Sequence, residues 1–326
     1  MICQKWNWVV LVHLDHNALT LPSADPFVAQ ESTQNCGESI GLVRIFRYNH
    51  ESYVQPIARY KGYPMSNEIE SNSSSPEDHW EIYVTYVDDN PAVILVDIGI
   101  AQVAPMEDKP TLAWLWVHVK DPDGEGFPTE EEDMRLNEIE DVLTDSLELG
   151  DAEYVGRITS DGRREFYFYT SDAAQFREAA TAAMITAPEY EFEIDDADDA
   201  DWQHYLDVLY PSAEDFQQIH NQHVISRLYD AGDSLTEPRP VDHFANFATE
   251  ADRESFITAA AELGYEAASR PERTDEETEF PFAVGLIRVD SVDAETIDRI
   301  TFELFELARQ HDGEYEGWGS KVVKTK

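Results

Sequence analysis

Cysteine is nearly missing from this chain. Among 326 residues there are two, Cys3 and Cys36, both within the first 64. From residue 65 onward the sequence therefore offers no disulfide framework, no cysteine-based zinc site and no cysteine nucleophile. Basic residues are scarce as well. Lys and Arg number 23 against 67 Asp and Glu, a net charge of −44. Such a field repels nucleic acid and anionic membranes, and it attracts cationic partners or counterions. Direct nucleic-acid binding is not expected, because phosphate contacts dominate it. There is no glycine-rich phosphate loop and no Gly-x-Ser-x-Gly elbow. Long apolar runs are also lacking. The stretch "WNWVVLVHLDH" is too short and too interrupted to span a membrane. It has the single Lys and short apolar core of a secretion signal, but His13 and Asp15 break it. The expected location is the cytoplasm.

Apolar and aromatic residues are present in amounts that fill cores: 42% hydrophobic and 11% aromatic. The length fits about two domains. Charge divides the chain unevenly. Residues 1–64 carry five basic and five acidic residues, so all of the net charge lies in 65–326. Met65 opens "MSNEIESNSSSPEDHW", which reads as a flexible N-terminus. The working protein is expected to begin near Met65, with 1–79 an extension of little order.

Three β-branched and aromatic runs follow, "WEIYVTYV", "AVILVDIGIAQV" and "TLAWLWVHV", separated by turn signals. Thr129 and Glu132 form a capping box ahead of a helix that Gly150 ends. "AEYVGRITSDGRREFYFYTS" is a hairpin turning at Asp161-Gly162. Asp172 caps the next helix, and "YEFEID" is a strand. From residue 111 the order is β-α-β-β-α-β. After a linking helix capped by Ser212, the same order returns: "RPVDHFANFAT", a helix capped by Thr249, "YEAAS", "FPFAVGLIRVDS", a helix capped by Asp293, and "EYEGWGSKVV". The expected fold class is α+β: two tandem ferredoxin-like (split βαβ) sandwiches, the first with two extra strands. The expected boundaries are 80–211, a linking helix at 212–232, and 233–326.

Few residues offer chemistry. The acidic run "EFEIDDADDADWQH" lacks the glycine and closing Glu of a calcium loop, so a solvated loop or helix start is expected. "DPDGEG" reads as a strand-to-helix loop. His220 and His223 share a helix face without a third ligand in view, and no metal or cofactor is expected. Arg163 and Arg164 are the one local basic pair. A pocket joining them to His118 would favour a ligand-binding or enzymatic first domain. The aromatics Phe166, Tyr167, Phe168 and Tyr169 alternate as in base-stacking sheets, which the charge argues against.

The chain closes on "DGEYEGWGS". Tyr315 and Trp318 are three apart, so a regular strand sends them to opposite faces. Gly317 or Gly319 permits a bulge that turns both to one side. The readings are a core aromatic beside a bulge, or an exposed Trp that anchors a partner. Tyr315, Trp318, Glu314 and Glu316 are the candidate partner contacts.

This close, with "AELGYEA", "GDSLTEPRPVDHFANF" and "FAVGLIRVD", makes residues 223–326 resemble the regulator of ribonuclease E activity B family, RraB. The family commonly has Asp and Thr where this chain has Glu316 and Ser320. "TSDGRREFYFYTSD" and "WQHYLDVLYPS" make residues 80–211 resemble the family catalogued as domain of unknown function 695. The resemblance implies a ferredoxin-like second domain and a non-enzymatic regulator that binds ribonuclease E and inhibits it. Arginine-rich RNA-binding segments of that enzyme would suit a polyanionic partner. The alternative is a small-molecule-binding or enzymatic first domain with the second as accessory.

Overall fold

A computed structural model describes residues 78–148, 151–268 and 279–324. The readings made on Cys3, Cys36, Met65 and Gly150 lie outside the described residues. Chain contacts divide the protein into two units, one up to Pro211 and one from Ser212.

The first unit contains β1 (Trp80–Val87), β2 (Asn90–Asp97), β3 (Thr111–His118), α1 (Glu130–Glu148), β4 (Glu153–Ser160), β5 (Arg163–Thr170), α2 (Ala173–Ala183) and β6 (Phe192–Asp198). The second contains α3 (Ala213–Asp230), β7 (Arg239–Phe247), α4 (Glu250–Glu262), β8 (Glu266–Ala268), β9 (Phe282–Asp290), α5 (Ala294–Gln310) and β10 (Gly313–Ser320). The class is α+β, with two antiparallel sheets. Their strand orders are β1-β2-β4-β5-β3-β6 and β10-β7-β9-β8.

Local signals place most elements. Asp88 and Asp89 take positive φ between β1 and β2, as do Asp161 and Gly162 between β4 and β5. Both pairs suit the tight turns of hairpins. Asp172, Ser212, Thr249 and Asp293 each accept a backbone N–H at the start of their helix. The Thr129 hydroxyl accepts from Glu132 N at 3.3 Å. Glu132 turns its own carboxylate to Lys120 N at 2.7 Å instead of back to the cap.

In the first unit, α1 and α2 cover one face of the sheet, packing on Leu115, Val117, Phe166 and Phe168. The opposite face is covered by chain that follows β6. Trp202 stacks on Tyr169 with centroids 3.9 Å apart. Tyr205 donates to Asp97 O at 2.7 Å, and Tyr83 donates to Leu209 O at 2.9 Å. Residues 199–210 thus form a strap, and Tyr167 and Tyr169 are buried under it. The alternating aromatics of β5 are therefore core on both faces.

Two expectations change. The strand read at "YEFEID" runs on to Asp198, into acids expected to form a solvated loop or helix start, because it pairs with β3 from Phe192–Val117 to Asp198–Thr111. Its Asp195 and Asp196 meet Arg177 of α2 at 3.6 and 2.7 Å. The helix read as a link, α3, packs within the second unit. Its Leu228, Val224 and Ile225 join Trp318 and Ile300 in one apolar cluster.

The end of the second unit is fastened by a buried ion pair. Arg239 meets Asp233 through both terminal nitrogens, and Asp233 also accepts from Val323 N at 2.6 Å. Chiefly through the Arg239 hydrogen bond, the Asp233 carboxyl is lowered to about 2. Among the described residues no helix is long and apolar enough to cross a membrane.

Candidate functional site

The site is the edge strand β10 and what lies beneath it. Gly313 starts the strand where an added Cβ would strike the Phe247 ring and come within 2.9 Å of Asn246 O. Pairing with β7 then runs Tyr315 to Ala245, skips Glu316, and resumes with Gly317 to Phe244 and Trp318 to His243. Gly317 has φ +134°, a region that favours glycine. Ala245 and His243 are two apart, so they share a face. The bulge therefore puts Tyr315 and Trp318 on that same face, which the helices cover.

Both aromatics are core groups. Tyr315 is 2% exposed and Trp318 is 5% exposed. The Tyr315 hydroxyl lies 2.8 Å from His243 Nδ1. Burial, with help from the Arg288 charge, lowers His243 to about 4, so its imidazole is neutral near pH 7. The Trp318 Nε1–H donates to Asn221 Oδ1 at 2.9 Å. Gln217 donates to the same oxygen at 2.9 Å. Asn221 Nδ2 in turn donates to Asp298 Oδ1 at 2.8 Å and to Thr301 Oγ1 at 2.7 Å. One asparagine thus joins α3, α5 and β10 through a satisfied polar network.

Asn221 escaped the sequence reading, although a signal exists. Gln217, Asn221, Val224 and Leu228 fall on one helix face. Two amides on an otherwise apolar stripe mark a buried hydrogen-bonding hub.

Glu314 and Glu316 lie on the other side of the strand. Glu314 pairs with Asn246, which faces away from Ala245. Glu316 accepts from Asn246 Nδ2 at 3.2 Å. The four candidate contacts are thus divided: the two acids on the face turned from the helices, the two rings beneath.

Asp298 gives this network a pH dependence. Burial is the main cause that raises its carboxyl to about 7, with the Asp293 charge adding to it and the Asn221 hydrogen bond opposing. The folded state therefore keeps a proton that the unfolded chain releases near its ordinary value of 3.8. The contribution to stability is full below that value and is lost as pH rises to about 7. Asp298→Asn is expected to remove this fall, on the order of 1–2 kcal/mol for a half-buried group. Urea unfolding of both proteins across that range checks it. Parallel stability curves would rule the account out.

In the first unit, Arg163 and Arg164 point to opposite faces of β5. Arg163 lies over the Trp116 ring at 4.5 Å and meets Glu165 at 2.5 Å. Arg164 is buried against Asp133 and Asn137 of α1. His118 is 3.6 Å from Glu193. These three residues do not share a pocket. No group of three or more His, Cys, Asp or Glu among the described residues is arranged to hold a metal ion.

Both halves of the chain match known classes of domain. Residues 78–210 match the family model described as Family of unknown function (DUF695), and residues 218–320 match Regulator of ribonuclease activity B. The chain carries an RraB-like domain preceded by a domain resembling DUF695, in the order its motifs indicated. No curated protein matches the chain.

Proposed function

We propose that this protein is a non-enzymatic cytoplasmic regulator whose second domain binds and inhibits an RNA-processing endonuclease of the ribonuclease E type. The observation that carries the reading is the regulator-of-ribonuclease match over residues 218–320. The net charge of −44 supports an acidic docking surface that meets a cationic protein segment. Glu314 and Glu316 are the proposed direct contacts. Tyr315 and Trp318 act from beneath, by holding β10 and its bulge in place. We also read both domains as ferredoxin-like sandwiches. The support is strand order: numbering each β-α-β-β-α-β set from one to four, both sheets run 4-1-3-2.

The test is a binding and cleavage assay with purified ribonuclease E across salt concentrations. Inhibition is expected at low salt, with affinity falling on the order of tenfold toward physiological salt. Glu314→Gln with Glu316→Gln is expected to weaken binding while leaving the melting transition in place. An enzyme that cleaves at full rate in dilute buffer with excess protein would overturn the reading.

A further inference from the structure

The sheet of the second unit has one face covered by helices and one turned from them. All three helices pack on the side that carries Val241, Ala245, Leu286 and Trp318. Residues paired directly across neighbouring strands share a face. The other side therefore carries Asp242 and Phe244 of β7, Ile287 and Val289 of β9, Glu266 of β8, and Glu314 of β10, with Glu316 beside it. Charge is sorted between the two faces. The strand arginines, Arg239 and Arg288, turn to the helix side, where Asp233 and Asp290 meet them. The charged strand residues of the other face are all acids.

Most of those acids stand at the margins. In the order β10-β7-β9-β8, Glu314 and Glu316 lie on one edge strand and Glu266 on the other. Phe244, Ile287 and Val289 lie on the two central strands, where Asp242 is the one acid. Three strand spacings, about 14 Å, separate the edges. A helix with its side chains is about 10–12 Å across. The face closes at its Phe247 end, where Asn246 and Ala283 are buried. It opens at the other end, where Val289 is 63% exposed. A Cβ added to Gly319, which pairs with Asp242, would meet nothing within 4 Å.

We infer that this face receives a basic amphipathic helix of the partner protein. Its apolar side lies on Ile287 and Val289, and its Lys and Arg side chains reach the acids on both edges. The inference rests on the regulator reading above and names the kind of segment the second domain takes. Charge complementarity selects the occupant. A field of −44 repels acidic segments and a second copy of this chain. An apolar strip edged by acids matches a helix with one apolar and one basic side. A purely cationic segment meets the acids but leaves Val289 in water, so it lacks the gain from apolar burial.

The test titrates the full chain by calorimetry with two synthetic peptides of equal charge, a Leu–Lys amphipathic helix and an all-Lys chain, and then with ribonuclease E. At physiological salt the Leu–Lys peptide is expected to bind at least about tenfold tighter than the all-Lys peptide. Val289→Lys and Gly319→Arg each set a cation on the face. Each is expected to weaken the Leu–Lys peptide and the enzyme at least about tenfold, with the melting transition of the parent. Met134→Lys adds the same charge at an exposed site on α1 of the first unit and is expected to bind as the parent does. Equal affinity for the two peptides would overturn the face. So would a loss in Met134→Lys as large as in the two face variants. Ribonuclease E inhibited equally by the parent and both face variants would strike the face and leave the regulator reading in place. A Leu–Lys peptide held at the face beside an enzyme that is neither bound nor inhibited would do the reverse.

Discussion

Trp318→Ala is expected to destabilise the second unit by about 3–5 kcal/mol, the cost of emptying a large aromatic site in a packed core. The ring sits with Leu228, Val241, Ile297 and Ile300 and is almost fully enclosed. Truncation also leaves Asn221 Oδ1 short of one donor, an added cost of about 1–3 kcal/mol if no water replaces it. Against a typical domain stability of about 5–15 kcal/mol, the sum is enough to unfold a marginal unit. Trp318→Phe keeps most of the ring and loses the hydrogen bond with a smaller part of the packing, so its effect should be smaller. Thermal and urea unfolding of the three proteins test the order. If Trp318→Ala melted like the parent yet failed to bind ribonuclease E, the Trp would be a direct partner contact instead of a support beneath the acids.

Gly156→Ala should be the most damaging small change in the first unit, at about 3 kcal/mol or more. Gly156 has φ +153°, and an added Cβ would fall inside the reach of Leu95 O and 3.1 Å from Val96 Cα. Those are backbone atoms of the neighbouring strand, so they cannot swing aside. Gly156 also sits at a bulge, where the pairing of β4 with β5 steps from Tyr154 to Gly156. Tyr154 and Arg157 are three apart, and the bulge brings both to the face beneath α1, where each meets Glu140. Losing the bulge would turn a buried guanidinium toward the wrong side. The expected readout is an early loss of the first unit's transition in calorimetry, with the second unit's transition unmoved. A melting profile equal to the parent's would show that the backbone can relax around the methyl group.

The two bulges show how far the sequence could be read. Glycine inside an aromatic strand reads as a permitted bulge in "YEGW", whereas the same pattern in "YVGR" reads only as part of a hairpin, and its bulge at Gly156 emerges from the strand register. The turns at Asp88-Asp89 and Asp161-Gly162 and the four capped helices were legible for a similar reason. Each depends on a few adjacent residues whose local hydrogen bonds or positive φ have no substitute. What depended on distant partners was not. The strand read at "YEFEID" continues through Asp196, Ala197 and Asp198, where the composition is poor for a strand and only pairing with β3 extends it. Arg157 reads as an ordinary exposed strand residue until the bulge turns it inward. Of the candidate contacts, the burial of Tyr315 and Trp318 needed the register with β7, which no property of the octapeptide alone supplies.

The strap formed by residues 199–210 bears on how the protein is made. Its Trp202, Tyr205 and Leu209 are buried, and they cover the far side of a sheet whose strands were all synthesised earlier. While the ribosome still holds those last residues, Tyr83 and Tyr169 have no lid. A nascent chain at that stage would carry a sticky aromatic plane, and a pause in translation there would be the moment of greatest exposure to aggregation.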